Sequence, residues 1–322
     1  MEKVYLGVDV GGTKTAVLLA AMPPETLGRV EFPTLPEQGP QRAIEVIVKS
    51  ARNLLMQQGL GQDAIAAIGV SCGSPLDRRR GIVHSPPNLS PWIDVPICKL
   101  LEEEFQAVCR LENDANAGAV AEHRFGAGKG TEHMVFLTLG TGLGAGIIAN
   151  GRLYLGASGD AGEIGHVRLS LTGPVGYHKA GSIEGWSSGG GIAQLAVRML
   201  EGAQRRGRRS ILHDSPANTL TARDVGLAAH AGDAVARGIL RASGEHLGQA
   251  LAMLMDVLNP QRIVLGGLAW RMGDHLLAPM RKMAAREALP RTMAACEIVP
   301  AGLGERIGDV AALCVAVGLE EP

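Results

Sequence analysis

Cysteine is sparse and scattered in this chain. Its five cysteines, Cys72, Cys98, Cys109, Cys296 and Cys314, form no C-x-x-C pair, which points to reduced thiols rather than a disulfide framework or a thiolate metal site. Net charge is also missing. Lys and Arg number 31 against 32 Asp and Glu, leaving −1, which argues against general affinity for nucleic acid or an anionic membrane. The strongest basic run, Arg205-Arg206-Gly207-Arg208-Arg209, has no interleaved aromatic residue and reads as a solvated loop. No apolar run reaches membrane-spanning length. No basic, apolar, small-residue leader precedes the strand expected at Val4, so a cytoplasmic protein is expected. Low-complexity segments are absent.

What the chain does have is material for packed cores. With 322 residues, 46% hydrophobic and 20% charged, it suits a two-domain globular protein. A helix is expected with apolar positions at Ile44, Ile47, Val48, Leu54 and Leu55, after a Pro-rich connection from Glu31 to Pro40. Ile65–Val70 reads as a buried strand, Cys98–Phe105 as a helix, and Val108–Glu112 as a strand ending at Asn113-Asp114, with a helix starting at Ala115. This alternation implies an α/β fold with mixed sheets. Further on, Leu240, Leu247, Leu251, Leu254 and Leu258 share one face of a long helix, stopped by Asn259-Pro260. Arg262–Leu265 reads as a strand ending at Gly266-Gly267, and Gly308–Gly318 as a last amphipathic stretch.

Two segments repeat one device: an apolar β-branched run, a small Gly/Thr turn, and a second apolar run. The first turn is Gly11-Gly12-Thr13-Lys14 and the second is Gly140-Thr141-Gly142-Leu143-Gly144. Each pattern predicts a β-hairpin whose turn offers bare backbone N–H groups. The first resembles a Walker A loop only superficially, because its Gly-Lys order is broken by Thr13. The second matches a dinucleotide fingerprint at Gly140, Gly142 and Ala145, but a strand rather than a helix follows. A phosphate cradle on hairpin turns remains, with Thr13 and Thr141 as hydroxyl donors and Lys14 as a point charge. Ordinary tight turns are the alternative for either loop alone.

Glu112-Asn113-Asp114-Ala115-Asn116-Ala117, with Glu122 and Gly126-Ala127-Gly128 after it, joins these loops in an ordered set. Asp9-Val10-Gly11-Gly12-Thr13-Lys14, Pro87-Asn88-Leu89, Ala161–His166, Asn259-Pro260 and Leu265-Gly266-Gly267 fall in the same order. Over essentially the whole chain this set resembles the ROK family of sugar kinases and sugar-responsive repressors. The resemblance implies two ribonuclease-H-like lobes of the actin and hexokinase type, with sugar and nucleotide in a central cleft. It implies a smaller N-terminal lobe over 1–117, with a C-terminal helix over 306–322 packed on it, and a larger lobe over 118–305. Asp114 then resembles the catalytic base that accepts a sugar hydroxyl proton; capping the helix that begins at Ala115 is its alternative or parallel role. By the same resemblance Gly73, Asn88, Asn113, Glu163, His166 and Glu184 bind the sugar. Asp9 lies near metal-bound phosphates or caps its own turn, and Gly11, Gly12, Thr13, Lys14, Gly140, Thr141, Gly142, Gly144, Gly266 and Gly267 serve the nucleotide. ATP with Mg²⁺, the ion bridging phosphates near Asp9, is the implied cofactor. A homodimer is implied too.

The chain departs from the family in one motif. Most members carry a zinc motif, C-x-C-G-x-x-G-C-x-E, that holds the loop bearing sugar-binding residues. Here Val175, Tyr177 and Ser182 occupy the cysteine positions, and of the motif Gly181 and Glu184 remain. His166 and His178 cannot supply the four ligands of a structural zinc, so none is expected, and packing by Tyr177 is the expected replacement. The implied activity is ATP-dependent phosphorylation of glucose or a related hexose such as mannose or an N-acetylhexosamine, at the 6-hydroxyl. Polyphosphate as donor and a non-catalytic, sugar-binding regulatory protein are the alternatives. A repressor of this family has a helix-turn-helix ahead of the first hairpin, where this sequence has three residues.

Overall fold

The computed structural model describes residues 3–319. Residues 1–2 and 320–322 lie outside the description, and with them the end of the helix expected over 306–322. The chain divides into two compact units. One comprises the residues up to Gly130, Arg152–Gly159 and those from Gly302 on; the other comprises Thr131–Gly151 and Asp160–Ala301. The lobe boundary expected at residue 117 falls inside a helix of the first unit.

The first unit is built on β1 (Val4–Val10), β2 (Lys14–Ala20), β3 (Gly28–Pro33), α1 (Gly39–Gln57), β4 (Ile65–Cys72), the hairpin β5 (Leu76–Asp77) and β6 (Ile82–Val83), α2 (Ile97–Phe105), β7 (Val108–Asn113) and α3 (Asp114–Phe125). Its sheet runs β3-β2-β1-β4-β7. The β1–β2 and β2–β3 pairs are antiparallel, and the β1–β4 and β4–β7 pairs parallel. The Pro-rich connection begins as strand: Glu31 to Pro33 belong to β3, where Pro33 sits at the end of an edge strand and forfeits no ladder bond of the sheet interior. Both faces of the central strands are covered, so their residues are apolar nearly throughout rather than alternating. One face packs on α1 and α2. On the other lies the last helix of the chain.

The second unit repeats the scheme with β8 (Met134–Leu139), β9 (Leu143–Ala149), β13 (Arg262–Gly267) and β14 (Glu297–Pro300) in the order β9-β8-β13-β14. Again the hairpin pair is antiparallel and the following pairs parallel. Between β9 and β13 come the two-residue β10 (Arg152–Leu153, counted with the first unit), the hairpin β11 (Val175–Gly176) and β12 (Lys179–Ala180), α4 (Ile183–Ser187), α5 (Gly189–Arg205), α6 (Ala222–His230) and α7 (Ala234–Leu258). After β13 come α8 (Asp274–Glu287) and α9 (Pro290–Ala295). Leu240, Leu247, Leu251 and Leu254 are buried along one face of α7, and Asn259 ends it in the left-handed region at φ 45°. Gly244 and Gly248 let α7 approach α8, since a Cβ at either would collide with the Leu276 or Met280 carbonyl.

The final helix, α10 (Ile307–Val317), differs from the amphipathic stretch expected. Val310 to Ala316 are all buried, because α10 lies on β1 and β4 with one side and on α3 with another. Gly69 makes this contact intimate: a Cβ there would collide with the Ala312 carbonyl and the Ala316 N–H. All five cysteines are buried and unpaired. Among the described residues no helix is long and apolar enough to cross a membrane.

Candidate active site

In the first unit, β1 and β2 are joined by the turn Gly11-Gly12-Thr13. Gly11 N–H closes the turn onto the Lys14 carbonyl at 3.0 Å, and the Thr34 hydroxyl donates to the Gly11 carbonyl at 2.6 Å. The N–H groups of Gly12 and Thr13 have no hydrogen-bond partner among the described residues, which is what an anion-binding turn requires. Gly12 is needed for close approach, since a Cβ there would run into the Asn88 side chain and carbonyl. One residue assigned to phosphate therefore sits directly on one assigned to sugar. Lys14 is exposed and pairs with Glu31 of β3 at 3.0 Å. Glu31 also takes Arg29 at 2.6 Å, and Arg29 Nε reaches Asp309 of α10 at 2.8 Å.

Asp9 precedes this turn on β1, opposite Ser71 of β4. The residue is partly buried and its carboxyl is pushed up to about 7, first by burial, then by the negative charges of Asp114 and Asp309, with Lys14 and Ser71 pulling the other way. Gly308 of α10 lies so close that a Cβ would strike the Asp9 carboxylate.

Asp114 is the first residue of α3, not its cap. Asn113 is the cap, its Oδ1 accepting the N–H groups of Ala115 at 2.9 Å and Asn116 at 3.3 Å. Either residue type suits an N-cap, and Asn113 takes the role because it ends β7 in the extended conformation. Its Nδ2 donates to Ser74 Oγ at 2.6 Å, which leaves one amide hydrogen for another acceptor. The capping task thus falls to Asn113 and not to Asp114. The residue is exposed as a whole, but loss of water around its carboxyl raises its acid above the ordinary aspartate range, with the N–H groups of Ala115 and Asp114 opposing the rise. Beneath it, buried Glu112 accepts the Asn113 N–H at 3.0 Å and Asn116 Nδ2 at 3.1 Å, and pairs with Arg78 at 2.9 Å. Gly73, just after β4, has open space where a Cβ would stand.

Glu122, in the last turns of α3, was singled out in sequence without a role. It is fully buried, and its carboxylate accepts three backbone N–H groups: Ala127 at 2.7 Å, Gly302 at 2.9 Å and Leu303 at 2.9 Å. It ties the loop after α3 to the segment that leads into α10.

In the second unit the turn between β8 and β9 is closed by Gly140 N–H onto the Gly142 carbonyl at 3.0 Å. Thr141 and Gly142 N–H have no partner among the described residues. The turn's carbonyls are occupied: Gly189 N–H at the start of α5 donates to Gly140 at 2.8 Å and Gly190 N–H to Thr141 at 3.1 Å. Gly144 lies on β9 opposite Thr138. Gly266 and Gly267 end β13 beside Thr138 and Leu139; Gly267, at φ +71°, has no room for a side chain against the Leu139 carbonyl.

Glu184 on α4 lies against this turn. Its Oε2 accepts the Leu143 N–H at 3.0 Å, and Gly142, Gly165 and Gly176 all crowd it. Glu163 and His166 are exposed at a short helical turn, 164–166. Gly162 and Gly165 let that segment lie on β9, since a Cβ at either would collide with a carbonyl of Ala145 or Leu143. Tyr177 meets the His166 ring edge-on at 6.0 Å and is itself exposed. Its ring also lies 5.4 Å from that of His178, so the packing it offers in place of zinc is at the surface. Among the described residues, no group of three or more His, Cys, Asp or Glu is arranged to hold a metal ion.

The ROK family model matches residues 5–317. A glucokinase from Halalkalibacterium halodurans is 34% identical over 312 residues, covering 96% of this chain and 93% of that protein. A glucokinase from Thermotoga maritima is 32% identical over 320 residues, 98% of each. Among solved structures, a ROK family glucokinase from Streptomyces griseus in complex with glucose and AMPPNP superposes with a TM-score of 0.77 at 29% identity, covering 98% of this chain and 99% of that one. With a family model spanning nearly its full length and relatives above 30% identity along it, the chain belongs to the ROK family.

Proposed function

We propose that this chain is a sugar kinase that transfers a phosphoryl group from ATP to the 6-hydroxyl of a hexose, with Asp114 as general base. The observation that carries the reading is Asp114 itself. It is a carboxylate free of the capping role, on an exposed residue at the head of α3, and its acidity is weakened by the protein around it. A base whose pKa is lifted toward working pH takes a proton more readily as the new bond forms. Asn88, Asn113, Gly73, Glu163, His166 and Glu184 bind the sugar in this reading. Asn113 has one amide hydrogen left for it, and Glu184 has one carboxylate oxygen not engaged by Leu143.

The residues present fit a nucleotide with its magnesium. Gly12, Thr13, Thr141 and Gly142 offer unpartnered N–H groups to phosphate oxygens, with Gly11, Gly140, Gly144, Gly266 and Gly267 giving backbone access and Lys14 a positive charge. Asp9 faces the negative charges of Asp114 and Asp309, a crowding that a divalent cation relieves. Magnesium bound with ATP supplies neutralisation of charge on the phosphates. The family resemblance adds a homodimer to the same reading.

A coupled assay of ADP release over a panel of glucose, mannose and N-acetylhexosamines, with ATP or polyphosphate as donor, tests the proposal. Turnover with ATP and a hexose supports it. Activity with polyphosphate alone replaces the donor, and sugar-induced stabilisation without turnover supports a regulatory protein instead.

A further inference from the structure

Residues 170–183 carry no metal ligand set, yet they form an ordered hairpin against Glu184 and His166. The three positions that hold cysteines in the family's zinc motif are spent otherwise. Val175 and Tyr177 are exposed, and the buried Ser182 uses its hydroxyl to cap α4 through the Gly185 N–H at 3.1 Å. What fixes the hairpin is a set of side chains from the helices around it.

Gln194 of α5 takes both main-chain groups of one residue. Val175 N–H donates to Gln194 Oε1 at 2.9 Å, and Gln194 Nε2 donates to the Val175 carbonyl at 2.8 Å. A carboxamide matched this way acts as one rung of an added strand, and it pins β11 to α5. Trp186 of α4 holds the other flank. Its Nε1–H donates to Ser170 Oγ at 2.9 Å, and that hydroxyl donates to the Thr172 carbonyl at 2.7 Å. The indole stacks on His246 of α7 at 3.7 Å with the rings 8° from parallel. Gly173 lies against the indole where no side chain fits. Gly181 closes the loop: its N–H donates to the Pro174 carbonyl, and its own carbonyl accepts Leu169 N–H at 2.8 Å. The hairpin then touches both candidate sugar ligands. Gly176 packs on the Glu184 side chain, and Lys179 Nζ donates to the His166 carbonyl at 2.8 Å.

We propose that Gln194 and Trp186 are positioning residues that do, by hydrogen bonding and stacking, what a zinc ion does in other members of the family: they hold the 170–183 hairpin and through it set affinity for the sugar. This rests on the sugar-kinase reading for its kinetic arm but not for its structural one. Neither residue touches the phosphate turn's unpartnered N–H groups, so nucleotide affinity is not their business.

The test uses the full-length protein and two variants. Gln194→Ala removes both hydrogen bonds at an exposed position, so folding is preserved. Trp186→Phe removes the indole donor while keeping an aromatic ring over His246. Amide hydrogen exchange is read at Val175 and Gly181 in the presence and absence of a zinc-selective chelator, and sugar KM, ATP KM and kcat are read with excess Mg²⁺. In Gln194→Ala, exchange at both amides and sugar KM are expected to rise roughly 5- to 30-fold, the range for one to two lost hydrogen bonds. The kcat and ATP KM should stay within about twofold. Trp186→Phe shifts the same quantities less. The chelator leaves wild-type exchange unchanged. Unchanged exchange in Gln194→Ala, or faster wild-type exchange with the chelator, overturns the clamp. Faster exchange with equal losses in sugar and ATP KM overturns its role in sugar affinity. A wild-type protein that phosphorylates no hexose fails the function above, while the exchange data still decide the clamp.

Discussion

The turn at Gly11–Thr13 and the turn at Gly140–Gly142 stand on the same strand pattern: an antiparallel hairpin followed by two parallel partners. They are furnished in opposite ways. Around the first turn stand charges: Asp9, Lys14, Glu31, Arg29 and Asp309, with Asp114 acting on Asp9 through its field. Around the second, the backbone of α5 fills the turn's carbonyls, and Glu184 accepts from the strand that follows. Each unit also has a clamp, buried Glu122 on three N–H groups in the first and exposed Gln194 on one residue in the second. A duplicated scaffold therefore fixes where a turn sits. The chemistry of the turn comes from whatever each unit packs beside it.

If the chemistry resides in the first unit's acids, Asp114→Ala should lower turnover by ~10²–10⁴, the usual span for a general base, with sugar-induced stabilisation kept; full activity would assign the proton transfer elsewhere. Glu122→Ala takes the acceptor from three N–H groups, that of Leu303 buried and those of Ala127 and Gly302 part-buried, at up to about 1 kcal/mol each, so urea denaturation should show about 1–3 kcal/mol lost, and a loss below about 0.5 kcal/mol would mean the clamp is decorative. The two turns separate cleanly under alanine. Gly12→Ala must displace Asn88 and should destabilise by about 1–3 kcal/mol, whereas Gly140→Ala meets nothing within 4 Å and should stay within about 0.5 kcal/mol. Equal losses would show that the turns are equally confined. A further difference is read against pH. The Asp9 acid is raised from 3.8 to about 7, so the native state holds its proton over that window while the unfolded chain releases it. Stability from this source is present below 3.8 and is lost as pH rises to about 7. The melting temperature of Asp9→Asn relative to wild type should therefore climb through that window and level off above it. A flat difference would place the Asp9 acid at its ordinary value.

Much of this was legible in sequence for a local reason. The hairpins showed because β-branched runs flank residues with small or no side chains, and α7 showed because its leucines keep helical spacing over several turns. The failures are non-local. Asn113 and Asp114 are both good capping types, and only the end of β7 decides which one caps. Gly308–Gly318 looked amphipathic, but a helix enclosed by β1, β4 and α3 has no wet side. Glu31–Pro33 looked like connection, because a proline ending an edge strand is indistinguishable from one in a loop. Gln194 carries no signal at all: nothing near it in sequence announces a partner at Val175. Tyr177 was expected to replace the zinc by packing, yet an amide, a hydroxyl and an indole hold the hairpin.

The placement of α10 sets an order on the making of the molecule. β1 and β4 precede the second unit in the chain, but the helix that covers one of their faces follows it. Every residue of the second unit is synthesised before then. The unit begun first is thus closed only after the second has been made, and Gly7 and Gly69, where that helix presses on the sheet, stay uncovered until then.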